Sequence, residues 1–446
     1  MERFNSAIMY LLSFKVYVLL PAIIFVLATV FGIKLKTAAK SALTLGIGFI
    51  GIFMTFGFYV GFINPAITAL VARSGLSFTV LDTGWIPLSV ITWQFHLAPL
   101  LLVLFMAINA ALLVLKKTRT VDIDIWNYWH VILVSAMVFA VTGSNALAIA
   151  FGIGSFVIVL KISDWSAPLA NKHSGMSGIC IPHLSGLTYF PIGVAGNALL
   201  DRIPGIRKLH ANPERMKERL GLLGEPMVIG FLLGIGLGVA GGYSFKATTE
   251  LAMSFAGVIF ILPIMCGILG SALIPVSEGM KEFIGRRFPN MGLTFIGLDV
   301  AVLFGIPAVM VTTLLLIPFA LLFAFLLPGI SFIPLGDLTN LTVPVSFLVL
   351  ATGGNVIRSF ILGLPVVIGN LYLASALAPL FTRMAMNANY KVEGYTGVFT
   401  SFLDGGNLLR GWLVYLSSGN PIAFAVIPAV AALMWYARKI SKRVIL

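Results

Sequence analysis

The chain has 446 residues, of which 59% are hydrophobic and only 10% are charged, and its formal net charge is +13. Because soluble domains contain roughly 45–50% apolar residues, this composition excludes an ordinary soluble protein and predicts an all-α polytopic membrane protein. A transmembrane β-barrel is excluded because long apolar runs such as 309–327 do not alternate with polar residues. The two cysteines form no metal motif, and no metal or cofactor is predicted.

Lysine and arginine residues lie in short clusters between the apolar stretches, at 34–40, 116–119, 202–219, 281–287 and 438–443. Basic loops of membrane proteins collect on the cytoplasmic side, so these clusters predict an N-terminus outside the membrane and a C-terminus in the cytoplasm. The first apolar stretch lacks the pattern of a cleavable signal peptide, and we expect it to be retained. No basic domain stands free of the membrane, so nucleic acid is not an expected partner.

The apolar stretches accommodate roughly ten or eleven membrane-spanning helices of about 20 residues each. The first span is predicted over 9–33. The stretch near 77–94 is too short and too polar to cross alone, which predicts a re-entrant hairpin that is covered by protein or lines a cavity. Residues 161–200 are rich in Gly, Ser and Pro and are expected to form a broken segment of short helices. Together these elements make residues 1–200 a first membrane repeat.

A more polar segment at 201–223 divides the chain and is predicted to be a cytoplasmic amphipathic linker. A second membrane repeat with a final helix follows over 224–437, and residues 438–446 form a basic cytoplasmic tail. The glycine-rich pattern at 233–238 is similar to that at 45–51. Similar opening helices in two halves are typical of transporters built from inverted repeats.

Two histidines lie in polar clusters within the apolar sequence. His130 follows two tryptophans and a tyrosine, a pattern typical of an interfacial aromatic belt as well as of a binding site. His183 follows an Ile-Pro pair, and proline favours extended backbone before it, as expected at a helix break that opens into a cavity. Either histidine could be structural. Either could also hydrogen bond a sugar hydroxyl or act as a base near neutral pH.

Asp299 stands in an apolar run beside Gly297. It could cap a helix, pair with Arg358, or accept hydrogen bonds from substrate hydroxyls. The last role is favoured because ionisable groups at membrane depth are usually functional. Thr92 and Trp93 could be an ordinary loop, but they also offer an aromatic face to C–H groups and a hydroxyl to O–H groups.

Three further polar residues have simpler explanations. Asn355 is a weaker candidate for a substrate contact because it could simply cap a helix end. Asp337 and Asp404 are predicted to be turn residues. The sequence contains neither a GxxxxGK[ST] nucleotide-binding loop nor a TVGYG-like filter, which weighs against an ATP-driven pump and a channel.

A set of short motifs, taken together and in this order, resembles the galactitol-type enzyme IIC of the bacterial phosphoenolpyruvate-dependent phosphotransferase system. Each motif is short, but the set covers most of the chain. The motifs are VDIDIWNYWH at 121–130, Asp164-Trp165, GICIPH at 178–183, GLLGEP at 221–226, IGLD at 296–299, PLGDL at 334–338, Gly354-Asn355 with Arg358, and DGG at 404–406.

The resemblance implies a homodimer in the bacterial inner membrane, in which a mobile core domain with inverted repeats moves as an elevator against a scaffold domain. It implies transport of a polyol or sugar, with IIA and IIB phosphotransferase subunits as partners, and phosphorylation of the substrate by a phosphocysteine on IIB. The chain alone would be a carrier, and with these subunits it would form a sugar phosphotransferase.

The resemblance also assigns roles to individual residues. The implied substrate contacts are Thr92, Trp93, His130, His183, Asp299 and Asn355. Of these, His130, His183 and Asp299 are the candidates for the base that accepts the substrate's proton. The alternative is a secondary transporter driven by an ion gradient, in which Asp299 and the histidines would relay protons.

Overall fold

The computed structural model describes residues 10, 14–75, 78–208, 211–213, 217–218, 221–287, 294–392 and 395–445. Helices account for most of these residues, and the strands among them are only two or three residues long. The helical character predicted from composition is confirmed. Parts of several sequence predictions lie outside the described residues. They are 9 and 11–13 of the first span, 77 of the hairpin, 1–9, 11–13 and 76–77 of the first repeat, 209–210, 214–216 and 219–220 of the linker, 288–293 and 393–394 of the second repeat, and 446 of the tail.

The first half of the chain opens with two apolar helices and continues through short strands and helices. Its elements are α1 (Val16–Val30), α2 (Leu35–Ser74), β1 (Val80–Asp82), α3 (Trp85–Trp93), α4 (Ala98–Val114), β2 (Thr120–Asp122), α5 (Trp129–Thr142), α6 (Asn145–Ser174), β3 (Ile179–Cys180), α7 (Leu184–Leu187), α8 (Tyr189–Leu200) and α9 (Pro204–Arg207). A 3-10 turn over Ile125–Tyr128 leads into α5.

The second half begins with two apolar helices joined by a short turn. Its elements are α10 (Pro226–Ala240), α11 (Phe245–Arg287), β4 (Phe295–Gly297), α12 (Pro307–Leu326), α13 (Thr342–Ala351), α14 (Val356–Asn387), β5 (Val398–Thr400), α15 (Leu408–Ser417), α16 (Pro421–Ala425) and α17 (Ile427–Ile445). Three 3-10 turns lie at Gly221–Gly224, Val300–Gly305 and Leu338–Leu341.

Two small parallel sheets connect distant parts of the chain. In one sheet β1 pairs with β5. In the other, β4 lies between β2 and β3. Each sheet therefore joins strands from both halves of the chain, and the residues that follow the parallel strands emerge at the same edge of each sheet.

Within the described residues, seven helices are long and apolar enough to cross a membrane, or eight if α3 and α4 count as one broken span. This is fewer than the ten or eleven predicted from the apolar stretches. The difference arises because several apolar stretches fold as helices of 10–17 residues, which are too short to cross alone. They are Val16–Val30, Leu184–Leu200, Pro226–Ala240 and Leu338–Ala351.

Two predicted irregular segments take specific forms. Near 77–94 the chain forms β1 and then α3, whose axis is bent by 91° from that of α4. In 161–200 the helix α6 continues without a break to Ser174, and the short elements begin only afterwards. Pro168 does not end this helix, and the left-handed Gly175 does.

The glycines that the sequence repeats between its halves allow close helix packing. A Cβ atom on Gly48 of α2 would collide with Leu269 of α11, and one on Gly234 of α10 would collide with Ala252. Small residues let helices in a membrane approach until their backbones nearly touch. The helices α2, α10 and α11 are thereby held together as one packed group.

Candidate functional site

The three-stranded sheet brings polar residues from three places in the chain to one edge. His183 follows β3, Asp299 follows β4, and Asp124 follows β2. The strands are held in register by backbone bonds such as that from Leu298 N–H to the Cys180 carbonyl, at 2.9 Å. The short strands thus fix the positions of side chains that the sequence separates by up to 175 residues.

His183 and Asp299 line a cavity of about 700 Å³, and Asp124 lies outside its lining. Its polar lining includes Asn127, His130, His183, Ser185, Asp299, Thr339, Asn340 and Asp404. The imidazole rings of His130 and His183 are in contact, with their centroids 4.1 Å apart and their planes tilted by 53°. A cavity of this size accommodates a small organic solute, and its lining provides both donors and acceptors of hydrogen bonds.

Asn127 connects two buried carboxylates at the cavity wall. Its Nδ2 donates to Asp299 Oδ2 at 2.6 Å and to Asp124 Oδ2 at 2.7 Å. The other oxygen of Asp299 accepts from the backbone N–H of Ala301 at 2.7 Å and so caps the 3-10 turn. Asp299 therefore has the capping role considered from the sequence and also lines the cavity, whereas it does not pair with Arg358.

His130 is held by Ser185 of its own half and by two residues from the other half of the chain. Its Nδ1 lies 3.1 Å from Asp404 Oδ1 and 2.9 Å from Ser185 Oγ. Behind this carboxylate lies Arg410, which is completely buried, contacts Asp404 Oδ1 at 3.3 Å and donates to the His130 carbonyl at 3.2 Å. The ion pair neutralises two charges that would be costly to bury separately. Because Nδ1 of His130 already contacts Asp404 and Ser185, Nε2 is the nitrogen available to a ligand.

The second sheet positions the loop that carries Asp404. Asp82, at the end of β1, accepts from the backbone N–H groups of Asp337 at 3.1 Å and Phe402 at 3.0 Å. Asp337 in turn accepts from Ser401 Oγ at 2.8 Å and from Asn340 Nδ2 at 2.8 Å. Asp82 ends a strand and Asp337 lies in a turn, and their side chains connect these segments to the loop after β5.

Aromatic and aliphatic side chains complete the cavity. Trp85, Trp126 and Trp129 lie along it, and the rings of Trp85 and Trp129 stack with centroids 5.9 Å apart. The facing wall is one side of α2, where Phe56 stacks on Phe304 at 5.3 Å. Indole faces favour contact with C–H groups, while the polar residues serve O–H groups.

The structure brings together three of the six predicted substrate contacts. His130, His183 and Asp299 line the cavity. Thr92 does not line it, and the buried Thr92 hydroxyl donates to the Leu88 carbonyl at 2.7 Å. Trp93 lies behind Trp126, with ring centroids 6.3 Å apart. The roles of Thr92 and Trp93 as ligands remain predictions.

Asn355 also lies away from the cavity lining, and its contact role likewise remains a prediction. Its side chain accepts from the Arg358 N–H at 3.1 Å and caps α14, the simpler explanation considered from the sequence. Arg358 pairs with Asp201 at 2.7 Å and with Asn197 at 2.9 Å. This ion pair joins the start of α14 to the end of α8.

Sequence reasoning missed several residues of the site. Asp404 was assigned to a turn, and Asn127, Ser185 and Arg410 were not singled out. Asn127 and Ser185 each lie within a few residues of a histidine in the motifs. Arg410 carried a usable signal, because an arginine within an apolar helix usually has a buried acidic partner. Within the described residues, no group of three or more His, Cys, Asp or Glu side chains is arranged to hold a metal ion.

A bundle of apolar helices around a polar, tryptophan-lined cavity defines a membrane permease for a small polar solute. The chain belongs to the family described as the sugar-specific permease component of the PTS system, whose model matches residues 10–394. The resemblance found in the motifs is thereby confirmed.

Relatives in Escherichia coli match nearly the full length of the chain. Over 435 residues it is 31% identical to the putative permease IIC component of strain K12, covering 96% of this chain and 98% of that protein. Over 428 residues it is 30% identical to the PTS system galactitol-specific EIIC component of strain K12, covering 96% and 94%. The galactitol-specific EIIC component of strain O157:H7 matches to the same extent.

Proposed function

We propose that this chain carries a neutral polyol or sugar, of the galactitol kind, across the bacterial inner membrane and presents it to a phosphorylated IIB subunit. The observation that carries the proposal is the convergence of His130, His183, Asp299 and Asp404 on one tryptophan-lined cavity. Family membership supports sugar or polyol transport within the phosphotransferase system. No cofactor is needed for this role.

The cavity chemistry fits a polyhydroxylated ligand. Each hydroxyl both donates and accepts, so it can pair with the carboxylate of Asp299 and with either imidazole. The tryptophan faces pack against the C–H side of the carbon chain. Truncation of a single polar contact should remove part of the affinity, because a buried group without a partner is unfavourable.

The proposed chemical step takes place when the loaded site faces the cytoplasm. A substrate hydroxyl oxygen attacks the phosphorus of the phosphocysteine on IIB, the new O–P bond forms, and the P–S bond breaks to release a thiolate. The hydroxyl proton passes to a base, for which His130, His183 and Asp299 are the candidates. The phosphorylated product carries added negative charge and leaves a cavity that contains carboxylates.

The order of elements supports two related halves. Within the described residues, each half has two apolar helices, a strand, a bent or broken helical element, a 3-10 turn leading into a helix, a helix of at least 30 residues, and another strand. The first half has in addition β2, before its 3-10 turn, which has no counterpart among the described residues of the second. The 3-10 turns carry Asp124-x-x-Asn127 and Asp337-x-x-Asn340, and each amide donates to its own aspartate, at 2.7 and 2.8 Å. We propose that residues 1–200 and 224–437 are inverted repeats.

The packing suggests which parts of the chain would move relative to each other. The glycine contacts join α2, α10 and α11 into a scaffold, and the two sheets join the remaining elements into a core that carries the polar site. We propose that this core moves as an elevator against the scaffold within a homodimer. The linker 201–223 and the tail 438–446 would lie in the cytoplasm, where the basic linker would contact IIB and, through it, the IIA subunit. The N-terminus would lie outside.

A binding screen of the purified protein tests the substrate class. Hexitols, pentitols, their parent sugars and the corresponding phosphate esters would be compared by thermal unfolding and by titration calorimetry. We expect a neutral polyol or sugar to bind saturably and to stabilise the protein, and its phosphate ester to bind more weakly. Saturable binding of none of the neutral compounds would contradict the proposal.

A further inference from the structure

The wall of the cavity formed by α2 carries one polar side chain. Ile52, Phe56, Val60 and Asn64 follow each other at four-residue intervals and line the cavity. Residues so spaced lie along one face of a helix. The apolar members of this row fit a wall that faces a carbon chain, and Asn64 interrupts the pattern with an amide.

The amide oxygen of Asn64 is buried and has no hydrogen-bond partner within the described part of the chain. His183 Nδ1 is also buried without a hydrogen-bond partner. Among the described residues that line the cavity, these are the two buried side-chain polar atoms that lack a partner. Buried polar atoms normally have partners, and a missing partner is unfavourable. The two atoms belong to different parts of the lining, His183 to the strand edge and Asn64 to α2.

The position of Asn64 in its helix does not explain the unpartnered oxygen. Pro65 follows it and lacks an N–H, so the carbonyl of Gly61 loses its usual helical donor. That carbonyl is an acceptor and needs a donor, which the Asn64 side chain can offer only through Nδ2. A structural role at this proline would therefore use Nδ2 of Asn64 and would leave Oδ1 without a function.

We propose that Asn64 is a substrate-specificity residue, whose Oδ1 accepts a hydrogen bond from a substrate hydroxyl other than the one that reaches His183. The inference rests on the proposed transport function and narrows its substrate class. The ligand must reach both parts of the lining and must offer a hydroxyl donor at each, which a polyol does. A ligand with an anionic or an O-alkylated group at the Asn64 side has no proton to donate there.

The test compares wild type, Asn64→Leu and the control Thr68→Val by calorimetric titration with galactitol, other hexitols and their monodeoxy derivatives. Thr68 lies one turn further along α2, is exposed and bonds only its own helix backbone. For the wild type, removal of the substrate hydroxyl that donates to Asn64 Oδ1 should weaken binding about tenfold. In Asn64→Leu the parent polyol should bind about tenfold more weakly, and that same deoxy derivative should bind as well as its parent.

The outcomes separate this inference from the function on which it rests. Binding by the wild type together with unchanged binding by Asn64→Leu would overturn the role of Asn64 alone. Equal weakening of every deoxy derivative in Asn64→Leu would show a structural role and would also overturn it. Failure of the wild type to bind any polyol would overturn the transport proposal, and this inference with it. Should Asn64→Leu fail to fold, Asn64→Ala is used in the same comparison.

Discussion

Nδ1 of His130 and Oδ1 of Asp404 lie 3.1 Å apart although 274 residues separate them in the chain. His130 lies near the start of α5 in the first half, and Asp404 lies in the loop after β5 in the second half. The pair is buried, and Arg410 compensates the carboxylate from behind. One half of the chain therefore fixes the orientation of a candidate substrate residue in the other half.

We expect Asp404→Leu to destabilise the protein strongly. The substitution leaves the fully buried Arg410 guanidinium without its counter-charge, and loss of one partner of a buried ion pair is unfavourable by about 3–5 kcal/mol. The double variant Asp404→Leu with Arg410→Met should recover most of the stability but should not transport, since His130 loses its orienting carboxylate. Thermal unfolding and uptake into vesicles measure the two effects. A single variant as stable as the wild type would show that the pair is not structural.

We expect His183→Ala to weaken polyol binding about tenfold or more, which corresponds to about 1.4 kcal/mol. The reason is that the imidazole lines the cavity and its Nδ1 has no hydrogen-bond partner within the described residues. Titration calorimetry on the purified protein measures the affinity. The matched control is His96→Ala, since His96 lies outside the cavity lining and contacts Asn145 at 2.9 Å. Unchanged affinity in a well-folded His183→Ala protein would remove His183 from the site.

We expect Asp299→Asn to weaken binding and to lower the stability modestly. Asparagine caps helical turns about as well as aspartate, so its amide oxygen can keep the bond from the Ala301 N–H and the 3-10 turn after β4 should persist. The bond from Asn127 Nδ2 is then lost, because the new amide nitrogen is a donor, and the free energy of unfolding should fall by about 1 kcal/mol. The neutral side chain is a weaker acceptor for a substrate hydroxyl, so affinity should fall about tenfold. Asp201→Asn is the control, since Asp201 pairs with Arg358 away from the cavity lining. Equal affinity of the wild type and Asp299→Asn would argue against a ligand role.

Thr92→Val tests a residue that the resemblance assigns to the substrate but that does not line the cavity. The Thr92 hydroxyl is buried and bonded to its own helix, so we expect unchanged affinity and a loss of about 1 kcal/mol in stability. Trp126→Leu, which changes the cavity wall itself, should weaken binding in the same titration. A large loss of affinity in Thr92→Val would restore the sequence-based assignment.

The helical character, and a place at the cavity for three of the six candidate residues, could be predicted from the sequence. The apolar composition alone predicts helices that span a membrane. An ionisable residue within an apolar run, such as Asp299, is expected to face a cavity rather than lipid. His183 was identifiable for a related reason, because its Ile-Pro pair marks a break in helical structure. These are local signals that do not depend on distant parts of the chain.

The remaining contacts depend on pairings that no local pattern reveals. From the sequence, Asp404 has the pattern of a turn residue, and its contact with His130 depends on the pairing of β1 with β5 in the second sheet. That pairing could not be predicted, because strands of three residues are too short to show a periodic pattern. Thr92 and Trp93 stand near the cavity, but the direction of their side chains follows from the packing of α3. The number of spans was overestimated because apolar composition does not reveal where a helix stops.

The central claim is that the polar cavity carries a neutral polyol for phosphorylation by a partner. Its most direct test uses vesicles that contain only this chain, with a radiolabelled polyol outside and phosphorylated IIB inside. The account predicts that label accumulates as the phosphate ester only when phosphorylated IIB is present, and that His183→Ala abolishes the accumulation. Accumulation of the unmodified polyol, driven by a proton or sodium gradient without IIB, would contradict the account and establish a secondary transporter.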